Sequence, residues 1–150
     1  MFVGRFDAKL VRGHYELNGY LEAYAAAKVA GDPRPETIVR LQALVAAMHD
    51  ARDLVALETA STEFYRAINL ASGNPRIGDA LRLLQRFVPG PVYERYPSLI
   101  GIGRRGAAAV LAAIQARDPD AAGHACMEQW RAGGEVIVED LVARGIVEGR

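Results

Sequence analysis

Proline sits in this sequence only where one helix would end and another begin. The clusters are Asp32-Pro33-Arg34-Pro35, Gly73-Asn74-Pro75, Pro89-Gly90-Pro91 and Asp118-Pro119, with Pro97 close behind the third. Proline fixes φ and lacks an N–H, so it is tolerated in the first turn of a helix and disruptive further in. Asn74 and Asp118 are good N-caps for the prolines that follow them. Gly73 suits the left-handed residue that closes a helix. Between these breaks lie long stretches carrying most of the 26 alanines, the residue with the highest helix propensity.

Apolar residues in those stretches recur at three- and four-residue spacing, and no segment alternates as a strand would. The first helix is expected from about Ala8 to Ala30, with Leu17, Leu21, Tyr24 and the stem of Lys28 along its buried stripe. The second starts at Pro35 and presents Ile38, Leu41, Leu44, Val45 and Met48. The third, from about Arg52 to Ser72, buries Leu57, Ala60, Phe64, Ala67, Ile68 and Ala71. A fourth runs to about Phe87, and VYERYPSL is irregular or a short helix. A further helix spans roughly Leu99 to Arg117. The last runs from Pro119 towards Arg144, with Ala122, Cys126, Gln129, Gly133, Val136, Ile137 and Leu141 inward and a bend at Gly133-Gly134. The expected fold is all-α, an antiparallel bundle of six to seven helices.

Composition narrows the function. At 150 residues the chain reads as one domain, able to bury roughly 70% of its unfolded surface and to enclose a cavity. Eighteen basic and eighteen acidic residues give a net charge of zero, against a free-standing nucleic-acid binder. No apolar run is long enough for a signal peptide or a membrane span. One cysteine, Cys126, excludes an internal disulfide and fits the cytoplasm.

Catalytic and metal motifs are sparse. His14, His49 and His124 have no second histidine three or four residues away, so no helical ligand pair exists. His49 with Asp50 and Asp53 reads as a solvated helix end. Cys126 reads as a buried thiol, since reactive thiolates favour helix N-termini and cationic neighbours. GIGRRG at 101–106 follows no strand and is not a phosphate loop. An enzyme is therefore not expected. Polar residues on apolar stripes say more. Ser61 and Tyr65 share a face of the third helix, and Gln129 interrupts the last. Either they satisfy one another or backbone carbonyls, or they line a pocket for a small molecule. Arg104 and Arg105 either fork onto a carboxylate or form a solvated helix start.

Three stretches carry a family resemblance that covers about Arg12 to Leu141. EFYRAINLASGNPRI resembles the segment in which an Asp, two variable residues and Phe-His precede a helix ending in ASGN. AAIQARDPDAAGHACMEQW is similar to an "AI-x-x-x-D-x-x-A-A" helix pair leading to His-Leu. VRGHYELNGYLEAYAAAKVA resembles a first helix written "E-x-R-x-x-LE" before an alanine-rich run. All three belong to the C-terminal effector-binding domain, the FCD type, of GntR-family transcription regulators. MFVGRF looks like the last strand of the winged-helix DNA-binding domain that precedes it in that family. The resemblance thus implies residues 1–7 as the tail of a missing DNA-binding domain and 8–150 as a helical effector-binding and dimerisation domain. It implies a cytoplasmic homodimer that meets DNA only through that absent part.

The departures from the family pattern carry the chemical expectation. Many such domains hold a divalent metal through the Asp, the His four residues later and further histidines. Here those positions correspond to Ser61, Tyr65, the pair Gly106-Ala107, and Gln129 followed by Trp130. The first-helix Arg that often meets an effector carboxylate corresponds to Asn18. None of these is a strong ligand for a first-row metal, so no metal cofactor is expected. The replacements imply a wider, neutral pocket around Asn18, Ser61, Tyr65, Arg104, Arg105, Ala107, Gln129 and Trp130. Its effector would be larger and less charged, such as a fatty acyl, aromatic or lactone-like molecule. The rival expectation is a dimerisation module that has lost effector and metal binding.

Overall fold

The computed structural model describes residues 7–85 and 91–147, and all seven elements there are helices. They are α1 (Ala8–Gly31), α2 (Pro35–Asp50), α3 (Leu54–Ala71), α4 (Pro75–Gln85), α5 (Val92–Arg95), α6 (Leu99–Gln115) and α7 (Pro119–Ala143). The all-α bundle expected from the breaks is what forms. The expectation for residues 1–6, and for the end of the fourth helix beyond Gln85, lies outside the described residues.

Side-chain capping explains the starts. Asp7, Asp53 and Asp118 accept from the backbone N–H three residues on, at 2.7, 2.8 and 2.9 Å. Asn74 accepts from Arg76 N at 3.1 Å, next to Gly73 at φ +74°. Each cap satisfies a donor that the helix cannot satisfy itself.

α1 and α7 form the longest seam and run antiparallel. Arg12 meets Glu135, Gly19 meets Met127 and Trp130, Ala23 meets Gly123, and Gly31 meets Pro119. Two glycines set the approach. A Cβ on Gly134 would lie 2.9 Å from Tyr15 Cβ, and one on Gly19 3.1 Å from Trp130 Cβ. α7 runs as one helix through Gly133-Gly134, where Gly134 serves close contact with Tyr15 of α1 and Gly133 faces Leu99 of α6.

The core follows the expected stripes on α2, α3 and α7, and α6 adds Ala107, Val110 and Ile114. Phe64, Leu41, Met48, Ile68 and Ile114 are among its largest fully buried side chains. Ala71 is the exception on α3 and faces solvent. The expected stripe on α1 is corrected. Leu17 and Tyr24 are 48% and 46% exposed, and the buried face is Val11, Tyr15, Asn18, Glu22, Ala25, Ala26 and Val29. That face is made of small and polar residues because it must lie close against α7, while the bulkier apolar residues of α1 point outward.

Candidate ligand cavity

α1, α3, α4, α5, α6 and α7 border a half-open cavity of about 940 Å³. α3 supplies its longest wall, from Glu58 to Leu70, because one face of that helix turns towards the bundle axis. Tyr15, Tyr65, Tyr93 and Trp130 bring four aromatic rings to it, and Leu99, Ile102 and Leu81 add aliphatic surface. A cavity of this size and mixed lining is what small-molecule sites present.

Two hydrogen-bonded pairs cross the wall. Ser61 Oγ and Tyr93 Oη share a bond of 3.1 Å, and the Tyr65 hydroxyl donates to Gln129 Oε1. Both pairs depend on glycines of α6. A Cβ on Gly103 would collide with the Tyr93 hydroxyl, and one on Gly106 would collide with the Gln129 side chain. The glycine at 106 is therefore the space that Gln129 fills. Tyr93 is held further by its backbone N–H, which donates to Glu58 Oε1 at 2.7 Å. Burial pushes the Tyr65 phenol well above its ordinary range, and Tyr93 is raised for the same reason, so both stay neutral donors.

Of the residues expected at the site, Ser61, Tyr65, Gln129 and Trp130 do line this cavity. Trp130 brings an indole Nε1 that is buried without a partner. The other four lie elsewhere. Asn18 is 1% exposed, and its Nδ2 donates to the His14 carbonyl at 2.9 Å and to His14 Nε2 at 3.2 Å. Ala107 is fully buried in the core. Arg104 donates from Nε to the Met48 carbonyl at 2.9 Å and borders a smaller hollow of about 400 Å³ between α2 and α6. Arg105 is exposed. Neither arginine lines the larger cavity, and the two do not share a site. Adjacent residues on a helix diverge by about 100° and do not converge on one ligand.

Glu22 and Asn69 were missed by sequence reasoning. Both line the cavity, and Glu22 is only 3% exposed. Burial pushes the Glu22 carboxyl up to about 8, although an Asn69 side-chain hydrogen bond pulls the other way. Glu22 Oε2 and Asn69 Oδ1 are buried acceptors without partners. The signal was available: Glu22 lies four residues after Asn18 and seven after Tyr15, on one face of α1.

Metal fit can be judged from the donor set. Ser61, Tyr65 and Gln129 offer two hydroxyls and an amide, all engaged in hydrogen bonds. Among the described residues no group of three or more His, Cys, Asp or Glu side chains could hold an ion. These residues do not fit a first-row divalent metal.

The structure is a helical bundle with a sizeable cavity along the inner face of α3. The FCD domain family matches residues 14–132, and the chain belongs to that family. It is similar to two proteins of Mycobacterium tuberculosis, from strains CDC 1551 / Oshkosh and ATCC 25618 / H37Rv, each described as an uncharacterized HTH-type transcriptional regulator. Identity is 25% over 146 residues in both cases, covering 97% of this chain. The chain spans 60% of the length of these relatives. No helix among the described residues is long and apolar enough to cross a membrane.

Proposed function

We propose that this chain is the ligand-sensing domain of a cytoplasmic bacterial transcription regulator, with no catalytic role, and that it binds a small effector in a metal-free cavity. The observation that carries this is the cavity of about 940 Å³ whose wall is tied by the uncharged pairs Ser61–Tyr93 and Tyr65–Gln129. A cavity lined by four aromatic rings, with its polar pairs seated over glycines of α6, suits an effector with a substantial apolar body. DNA contact belongs to a winged-helix domain outside this chain. The DNA-binding relatives and their greater length support that division.

The regulator works as a homodimer in this reading. Leu10, Leu17, Tyr20 and Tyr24 stand 46–58% exposed on α1 at spacings of seven, three and four residues. That is the spacing of a helix seam that meets its own copy. Effector binding then acts by favouring one packing of the bundle, which sets the separation of two DNA-binding heads.

A second reading has one observation in its favour. The wall pairs satisfy each other, as they would in a dimerisation module that no longer senses a ligand. Thermal melts separate the two. The sensing domain gains several degrees with a cavity-filling apolar ligand and none with stoichiometric Zn²⁺ or Ni²⁺. A metal-dependent rise overturns the metal-free pocket. A library of apolar ligands that leaves the melt unmoved favours the dimerisation module.

A further inference from the structure

Glu22 and Asn69 lie together on the cavity wall, and the bundle brings no buried base near them. The two arginines that line the cavity, Arg66 and Arg82, have side chains 68% and 72% exposed and are paired with Glu63 and Asp79. They belong to the rim. Glu22 acts electrostatically on Tyr65 of α3 and Cys126 of α7, both of which burial keeps neutral. Tyr93 of α5 lines the same chamber and is neutral as well. Asp79 of α4 is engaged with Arg82, and the His14 ring of α1, a turn and more from Glu22, accepts from Asn18 as a neutral imidazole. Arg104 of α6 reaches the Tyr93 phenol electrostatically but is engaged through Nε with the Met48 carbonyl. Glu58 of α3 puts a second carboxyl on the wall, so an anionic effector beside Glu22 would gain little to offset its desolvation.

Two buried acceptors need donors. Asn69 favours the charged form of the Glu22 carboxyl, and Glu22 Oε2 and Asn69 Oδ1 are both buried without partners. One proton on Oε2 satisfies both, closing an acid–amide pair. An ammonium group satisfies both as well, because it carries three N–H donors and the charge that a carboxylate wants. Tyr15 and Trp130 line the same cavity, and aromatic faces attract cations.

We propose that the effector is an organic amine with an apolar body, and that its ammonium group takes the place of a proton held between Glu22 and Asn69. The step is an exchange: the ammonium enters with its charge, the carboxylic acid becomes a carboxylate, and one proton leaves for solvent. It rests on the reading of the cavity as an effector site. The carboxyl level of about 8 supports it, since the acid is then protonated at neutral pH in the empty chamber.

The test is calorimetric titration of the purified chain at pH 7 with tryptamine, tryptophol and indole-3-propionate, which share a body and differ in the head group. Each titration is run in phosphate and in Tris, whose protonation enthalpies differ. Tryptamine is expected to bind at least tenfold more tightly than the alcohol, with close to one proton released. Its affinity should fall about tenfold per pH unit below pH 7. Glu22→Gln should cost tryptamine at least tenfold more than it costs tryptophol. Equal or tighter binding of the alcohol or the carboxylate overturns the amine and leaves the cavity reading standing. Tryptamine binding without proton release, a count made on the unaltered chain, overturns the exchange. No binding by any of the three overturns both.

Discussion

Single residues decide what this interior can hold. Glu22 keeps its proton in the folded chain at pH values where an unfolded glutamate has lost it, so folding takes up a proton between about 4.5 and 8. Stability contributed by that neutral acid is complete below this window and declines as pH rises through it, with a limiting slope of about 1.4 kcal/mol per pH unit. Glu22→Gln removes this dependence. Urea unfolding at pH 5, 6, 7 and 8 should show the wild type losing stability relative to the variant as pH rises, and parallel curves would contradict the buried protonated acid. Tyr65→Phe removes the donor to Gln129 and leaves its Oε1 without that partner. The cost should be about 1–3 kcal/mol in the same assay. Ser61, Tyr65 and Gln129 were legible in the sequence because hydroxyl, phenol and amide groups interrupt apolar stripes. Glu22 was not, because an acidic residue on a helix is assigned to solvent until its face is known.

At the scale of elements, the helix breaks were the readable part. Asn74-Pro75 and Asp118-Pro119 start α4 and α7 where expected, since capping and proline are local chemistry. The face of α1 was not readable from hydrophobicity. Its outward side carries Leu10, Leu17, Tyr20 and Tyr24, while its inward side carries Gly19, Asn18, Glu22 and alanines. Close contact with α7 selects small residues there, and Gly134 is the tightest point. Gly134→Ala places a methyl against Tyr15 and should destabilise the fold by about 1–3 kcal/mol, despite alanine's better helix propensity. A stabilising result in urea unfolding would show that the seam has room. On the opposite side, Leu17→Glu with Tyr20→Glu should convert a dimer to a monomer in sedimentation velocity without lowering helicity by circular dichroism. A dimer that survives both charges rules α1 out as the self-contact.

For the whole molecule, the bundle could be anticipated from periodicity, but the chamber could not. Cavities arise from how six elements meet, and residues as far apart as Glu22, Tyr65, Tyr93 and Gln129 share this one. The same geometry explains why Arg104 was misplaced. Sequence proximity to the site suggested a role in it, while the helix turns its side chain to the Met48 carbonyl on the α2 side. What holds the account together is that Ser61, Tyr65 and Gln129, at positions where the family resemblance implies metal ligands, are tied into uncharged hydrogen-bonded pairs. Native mass spectrometry after incubation with equimolar Zn²⁺ examines that directly. The account predicts a dimer with no retained ion, and a mass shift when an amine ligand is added. One tightly held zinc per chain, lost on replacing Ser61, Tyr65 or Gln129, would contradict it.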